Sequence, residues 1–214
     1  MKLQGCFFDL DGVVFNTEPL YSMFWGEVGE RFHPELPDFA QRIKGQTLDQ
    51  IFDVYFKGVL YGSREDVQRS LIAFEEQMDF PFIPGFEAFA AWLRETGCPT
   101  ALVTSSNRMK MHNVYRHYPD FDKLFGDILT AEDFDESKPS PDCYLKAAAR
   151  FGLNPKECVG FEDSFNGLKS LGAAGMTVVG LSTTNSAEAI QPLCDIVIPD
   201  YLNLRQLKDY LCGA

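Results

Sequence analysis

Basic residues are in short supply in this 214-residue chain: 19 Lys and Arg face 31 Asp and Glu, a formal charge of −12. An acidic surface repels a nucleic-acid backbone, so a phosphate-tracking DNA or RNA binder is not expected. A small phosphate stays within reach, because a metal ion and a few backbone N–H groups can outweigh that surface locally. Long apolar runs are missing too, and nothing approaches the roughly 18 residues of a membrane span. The stretch Cys6–Phe8 is too short for a signal segment, and acids follow at once. The expectation is a soluble, cytoplasmic protein with no membrane partner. Cys6, Cys98, Cys143, Cys158, Cys194 and Cys212 stand singly, with no CxxC pair. They suggest neither a zinc site nor a dithiol centre, and read as buried thiols in a reducing compartment. No GxGxxG follows the first apolar run and no GxxxxGK[ST] occurs, which argues against hydride transfer and against P-loop NTP hydrolysis. His33, His112 and His117 lie in helical-looking stretches and give a Ser-His-acid triad little support.

Core material is ample: 45% of residues are apolar and 14% aromatic, with 19 Phe, which argues against disorder. At roughly 150 residues per domain, the length suits one domain carrying a large insertion. Short apolar runs rich in Val, Ile and Phe predict strands at Gly5–Phe8, Thr100–Thr104, Ile128–Thr130, Glu157–Phe161, Met176–Gly180 and Asp195–Ile198. They do not alternate cleanly, as suits strands covered on both faces. Helical spacing appears at Gly85–Glu95, before Gly97, and at Asp142–Phe151, before Gly152. Alternating β and α units predict an α/β fold with a doubly wound parallel sheet. Residues 16–82 break that rhythm with three amphipathic helices, Tyr21–Phe32, Leu48–Leu60 and Arg64–Phe80, before Pro81 and Pro84–Gly85 restore it. The expected division is a core of 1–15 and 83–214 with an inserted helical cap at 16–82.

Four clusters fall at predicted strand ends, the edge where ligands bind in open α/β sheets. Asp9-Leu10-Asp11-Gly12 offers a carboxylate that can attack an electrophile and bind a metal, beside one that can hold a proton. A plain Asp-Gly surface turn is the rival reading. A calcium loop fails, since Val14 and Leu20 stand where Gly and Glu are needed. Thr104-Ser105-Ser106-Asn107 can form an anion cradle, or simply cap a helix. In Ser137-Lys138-Pro139-Ser140-Pro141-Asp142 two prolines fix the backbone around one lysine, whose ammonium can neutralise a phosphate, or the stretch is an ordinary Pro-rich loop. Gly160-Phe161-Glu162-Asp163-Ser164 puts adjacent acids at a buried strand end, costly without a cation. Such acids suit Mg²⁺, although solvated acids at a helix start are the alternative. Together these are the parts of phosphoryl transfer: nucleophile, acid/base, anion cradle, fixed cation and metal acids.

Phe7-Phe8-Asp9-Leu10-Asp11-Gly12-Val13, Thr104-Ser105-Ser106, Lys138-Pro139-Ser140-Pro141-Asp142 and Gly160-Phe161-Glu162-Asp163-Ser164 resemble, in order, the four motifs of the haloacid dehalogenase-like hydrolase superfamily. The branch with β-phosphoglucomutase and small sugar-phosphate phosphatases is the most similar. The resemblance implies a Rossmann-like core, Mg²⁺ as cofactor, and a small phosphorylated metabolite as partner; a monomer is favoured. It implies Asp9 as the nucleophile that forms an aspartyl-phosphate. Asp11 would be the acid/base and would lend its backbone carbonyl to the metal. Thr104 and Ser105, with Asn107 beside them, would bind phosphate, and Lys138 would steady nucleophile and phosphate. Glu162 and Asp163 would be metal acids. Tyr21 stands where mutases of the branch carry a histidine, and Leu48 where they carry an arginine that grips a second phosphate. With Lys44 and Gln46, these are the expected leaving-group contacts. Asn16 replaces an acid common at its position. The expected activity is a Mg²⁺-dependent phosphatase of a small phosphomonoester, such as a sugar phosphate. The alternatives are a sugar phosphomutase and a non-catalytic phosphate-binding protein on the same scaffold.

Overall fold

The computed structural model describes residues 4–44, 46–58 and 63–213. Gly45, between the expected contacts Lys44 and Gln46, and Leu60, where one expected helix ended, lie outside them, as do residues 1–3 and 214 at the ends of the expected core. In chain order the elements begin with β1 (Gly5–Phe8), then α1 (Glu18–Phe32), α2 (Phe39–Arg42), α3 (Leu48–Tyr55) and α4 (Ser63–Gln77). Next come α5 (Phe86–Thr96), β2 (Thr100–Val103), α6 (Arg108–His117) and β3 (Asp127–Leu129). The remainder is α7 (Asp142–Arg150), β4 (Cys158–Glu162), α8 (Phe165–Ala174), β5 (Thr177–Leu181), α9 (Ala187–Ile190), β6 (Ile196–Ile198) and α10 (Leu204–Cys212).

The six strands form one parallel sheet in the order β3-β2-β1-β4-β5-β6. The chain leaves β1 towards one edge and returns to build the other, so β1 is the switch point of a doubly wound sheet, where the loops diverge and leave a crevice. β1, β2 and β4 are buried throughout, which is why their sequences run apolar without alternating. Their side chains still divide by face. Cys6, Phe8, Leu102, Val159 and Phe161 pack with Phe86, Phe89 and Leu93 of α5 on one side. Phe7, Ala101, Val103 and Cys158 pack with Tyr144, Ala147, Leu168 and Leu171 of α7 and α8 on the other. The phenylalanines concentrate on the first face, where Phe8 stacks on Phe161 at 4.6 Å between centroids and meets Phe86 edge-on at 5.6 Å.

Each expected strand is present, most shifted by a residue. β4 ends at Glu162 rather than Phe161, which makes that acid the last strand residue. Among the described residues between Asn16 and Phe82 there is no strand, only helix and turn. α1–α4 gather an apolar cluster of their own around Phe24, Trp25, Phe39, Ile51, Phe52 and Leu71. The short α2 breaks the three-helix expectation. The two chain crossings into this segment lie side by side: Asn16 N–H donates to Pro81 O at 2.8 Å and Ile83 N–H to Val14 O at 2.9 Å.

The six cysteines are all free, but only Cys6, Cys143 and Cys158 are buried; Cys98 and Cys194 are half-buried and Cys212 is exposed. His112 and His117 lie in α6 as expected. His33 falls just past α1 as its C-cap, stacked on Phe39. No described helix is long and apolar enough to cross a membrane.

Candidate active site

The four motifs meet at the carboxyl ends of β1, β2 and β4, around a cavity of about 450 Å³ lined by Asp9, Asp11, Thr104, Ser105, Asn107, Lys138 and Asp163. The reason is local. Asp9 follows the last residue of β1, and its backbone N–H donates to Phe161 O on β4 at 3.1 Å. Thr104 follows β2 and its N–H donates to Leu129 O on β3 at 3.0 Å. Asn107 caps α6, accepting from Lys110 N–H at 3.0 Å, so the cradle and the helix cap are one structure. Ser164 caps α8 in the same way through Gly167 N–H at 3.1 Å.

Lys138 reaches the site from the loop before α7, with a cis peptide bond to Pro139. Its ammonium is 1% exposed and donates to Asp9 Oδ1 at 2.6 Å, Glu162 Oε1 at 2.7 Å and Val103 O at 3.0 Å. Those three acceptors use all the protons an ammonium has. Burial alone pulls its pKa down, but Asp9 and Glu162 outweigh this and hold it above its ordinary value. Burial also pushes the Asp9 carboxyl up to about 7; Lys138 opposes this, and Glu162 and Asp11 add to it.

Asp9, Glu162 and Asp163 each offer an oxygen within 4.8 Å of the others. Hard carboxylate oxygens in a buried cluster suit a small divalent cation such as Mg²⁺. The three acids differ in what already holds them. Glu162 is fully buried and accepts from Lys138, from Tyr144 OH at 2.9 Å, from Ser164 OH at 3.2 Å and from Asp163 N–H at 3.1 Å. Asp163 accepts from the Thr184 hydroxyl, and burial, with Glu18, Glu162 and Asp9 nearby, drives its carboxyl well above the usual range. Two glycines make room for these acids. Gly12 turns at φ = 76°, and a Cβ there would collide with the Asp163 carboxylate. A Cβ on Gly167 would meet the Glu162 carboxylate.

The Asp11 carboxylate stands apart from the acidic cluster. The Thr17 hydroxyl donates to one oxygen; Lys110 and the Ser106 hydroxyl, at 3.2 Å, hold the other. The Thr104 hydroxyl accepts from Ser106 N–H at 3.0 Å. The Ser105 hydroxyl is buried with no partner among the described residues, an orphaned polar group in the loop expected to receive an anion.

The expected leaving-group contacts also line the cavity. Tyr21 OH donates to Glu75 at 2.8 Å, Lys44 pairs with Glu18 at 3.0 Å, Gln46 donates to Arg42 O at 2.9 Å, and Leu48 opens α3. Asn16 is exposed and does not line it. Sequence reasoning missed Thr17, Glu18, Glu75, Lys110 and Tyr144. Lys110 is 4% exposed, pairs with Asp11 and lies 4.2 Å over the Tyr21 ring. The only signal was its place three residues after the Asn107 cap.

A family model described as haloacid dehalogenase-like hydrolase matches residues 3–175, and the chain belongs to that family. A Drosophila melanogaster protein described as "Probable pseudouridine-5'-phosphatase" is 29% identical over 211 residues, 91% of this chain and 90% of its own length. Hexitol phosphatase B of Escherichia coli is 29% identical over 188 residues, 82% of each chain. Among solved structures, β-phosphoglucomutase from Clostridium difficile superposes with a TM-score of 0.77 at 20% identity, covering 98% of this chain and 97% of its own. That likeness concerns the fold, and bears out the Rossmann-like α/β architecture. The expected enzyme class, a phosphohydrolase of this superfamily, stands on the family and on relatives named as phosphatases.

Proposed function

We propose that this protein is a Mg²⁺-dependent phosphatase that hydrolyses a small phosphomonoester, a sugar phosphate being the leading class, through an aspartyl-phosphate on Asp9. One observation carries the reading: the Asp9 carboxylate is held at 2.6 Å by Lys138 and lies within 4.8 Å of Asp163, in a cavity that Thr104, Ser105 and Asn107 also line. The relatives named as pseudouridine-5'-phosphate and hexitol phosphatases point to the same substrate size.

In the first step an Asp9 oxygen attacks phosphorus, and the bond to the leaving alcohol breaks. Lys138 keeps Asp9 aimed and offsets charge on the transferring group. Asp11 protonates the departing oxygen. In the second step Asp11 takes a proton from water as that water attacks phosphorus, which frees Asp9 and releases phosphate. The loop Thr104–Asn107 presents hydroxyls and amides to the phosphate oxygens. Asp9 and Asp163, with the Asp11 backbone carbonyl, would hold Mg²⁺, which when bound supplies positive charge opposite the phosphate. Residues 16–82 act as a cap that excludes water during the first step. The adjacent crossings at residues 14–16 and 81–83 are the natural hinge.

Phosphate release across a panel of phosphomonoesters with Mg²⁺ tests the reading, with Asp9→Asn as its control. The variant keeps its fold and loses turnover by about 10⁴-fold or more. Wild-type-like hydrolysis by Asp9→Asn refutes the nucleophile.

A further inference from the structure

We infer that the cap side of this cavity selects a leaving group that carries hydroxyl groups and no second anion, and that Glu75 reads one of those hydroxyls. The inference rests on the phosphatase reading above and deepens it. Seven carboxylates and three lysines line the cavity, with no arginine among the described residues. Every one of the three ammonium groups is already opposed: Lys138 by Asp9 and Glu162, Lys110 by Asp11, and Lys44 by Glu18 at 3.0 Å. On the cap side Glu18, Asp49 and Glu75 face Lys44 alone, so a second phosphate or a carboxylate on the leaving group would enter a surplus of negative charge there and find no uncommitted cation. Such a juxtaposition is strongly unfavourable where water is excluded.

What the cap does present is an acceptor. Glu75, near the end of α4, is 7% exposed and lines the cavity. One of its oxygens accepts from Tyr21 OH at 2.8 Å, and no other donor among the described residues reaches the carboxylate. Its other oxygen opens on the cavity, where a substrate that displaces water must supply a donor in its place. Burial pushes the Glu75 carboxyl up against the pull of Lys110 and Tyr21. A substrate hydroxyl supplies the missing donor. Trp25 and Leu71 line the same wall and offer apolar contact to the carbon face between hydroxyls. Recognition of this kind is selective, because an ester lacking the hydroxyl leaves the buried acceptor unpaired.

The test compares kcat/KM for phosphate release, with Mg²⁺, from five kinds of ester: a polyol monophosphate, its singly deoxygenated analogues, the corresponding bisphosphate, an aminoalkyl phosphate, and p-nitrophenyl phosphate as common reference. The wild-type protein is expected to favour the polyol monophosphate over the bisphosphate by about 100-fold or more, and over one deoxygenated analogue by about 10-fold or more. Glu75→Gln is expected to shrink the polyol-to-deoxy ratio by about tenfold, and Tyr21→Phe to shrink it in the same direction. Leu48→Arg is expected to raise the bisphosphate relative to the monophosphate. Three results overturn the inference: a wild-type preference for the bisphosphate, a preference for the aminoalkyl ester, or a Glu75→Gln loss that is equal for all esters. If Glu75→Gln does not fold by circular dichroism, the wild-type ratios and Tyr21→Phe decide. Absence of release from every ester, p-nitrophenyl phosphate included, fails the phosphatase reading itself and this inference with it. A normal rate on the reference without the polyol preference fails the inference alone.

Discussion

Asp9 and Lys138 are joined by a 2.6 Å ion pair across 129 positions of sequence. The pair is the centre of the site. It fixes the direction of the Asp9 carboxylate, the proposed nucleophile, and Glu162 holds the same ammonium at 2.7 Å. A fully buried cation between two carboxylates is stable only while all three are present, since each solvates the others.

Removing the cation therefore exposes the cost. Lys138→Met is expected to destabilise the protein by about 3–5 kcal/mol, the usual penalty for leaving a buried partner charge uncompensated. Chemical denaturation measures it. Adding Glu162→Gln to Lys138→Met should return much of that stability while phosphate release stays absent. A double variant no more stable than the single one would show that Glu162 is not held by Lys138.

The close approach of Gly12 to Asp163 gives a second outcome. Gly12→Ala places a Cβ on the Asp163 carboxylate and asks alanine for φ = 76°. The expected cost is about 1–3 kcal/mol, with loss of any Mg²⁺-induced rise in melting temperature because Asp163 is displaced. An unchanged Mg²⁺ response in differential scanning fluorimetry would detach Asp163 from the metal.

These relationships show what the sequence made legible. Asp9, Thr104, Lys138 and Asp163 were readable because each directly follows a strand or directly precedes a proline pair, where local pattern and chemistry coincide. The sheet was readable because β1, β2 and β4 are apolar on both faces. Lys110 was not. It sits inside α6 among ordinary helix residues, and its partner Asp11 lies 99 positions away. Glu75 reads as one more acid on an acidic helix, and only the tertiary contact with Tyr21 turns it inward. The short α2 escaped because four residues carry no helical period.

Asn107 separates two roles that the motif alone confounds. Its side chain caps α6 at 3.0 Å, and the residue also lines the cavity. Asn107→Ala is expected to cost about 1 kcal/mol of stability, or about 2–4 °C in melting temperature for a chain of this size. Asn107→Ser keeps a capping oxygen and should restore the melting temperature. If the amide also contacts phosphate, as proposed, kcat/KM stays lowered in Asn107→Ser. Full recovery of both would reduce Asn107 to a helix cap.

The raised carboxyls of Asp9 and Asp163 make cation binding depend on pH in a fixed direction. In the unfolded chain both groups lose their protons near the ordinary carboxylate value of about 4. In the folded protein Asp9 keeps its proton up to about 7, and burial, with Glu18 and Glu162 nearby, holds the Asp163 carboxyl well above its ordinary range. The folded state thus binds more protons than the unfolded one across that window, so these two groups favour folding below it and oppose folding as pH rises through it. A divalent cation held by these oxygens, as proposed, would replace those protons. The Mg²⁺-induced increase in melting temperature should therefore be larger at pH 8 than at pH 5.5, where protons compete for the same oxygens. Fluorimetry with Mg²⁺ and with EDTA at both pH values measures the increment. An increment that shrinks towards pH 8 would mean that the cation does not bind these two carboxylates.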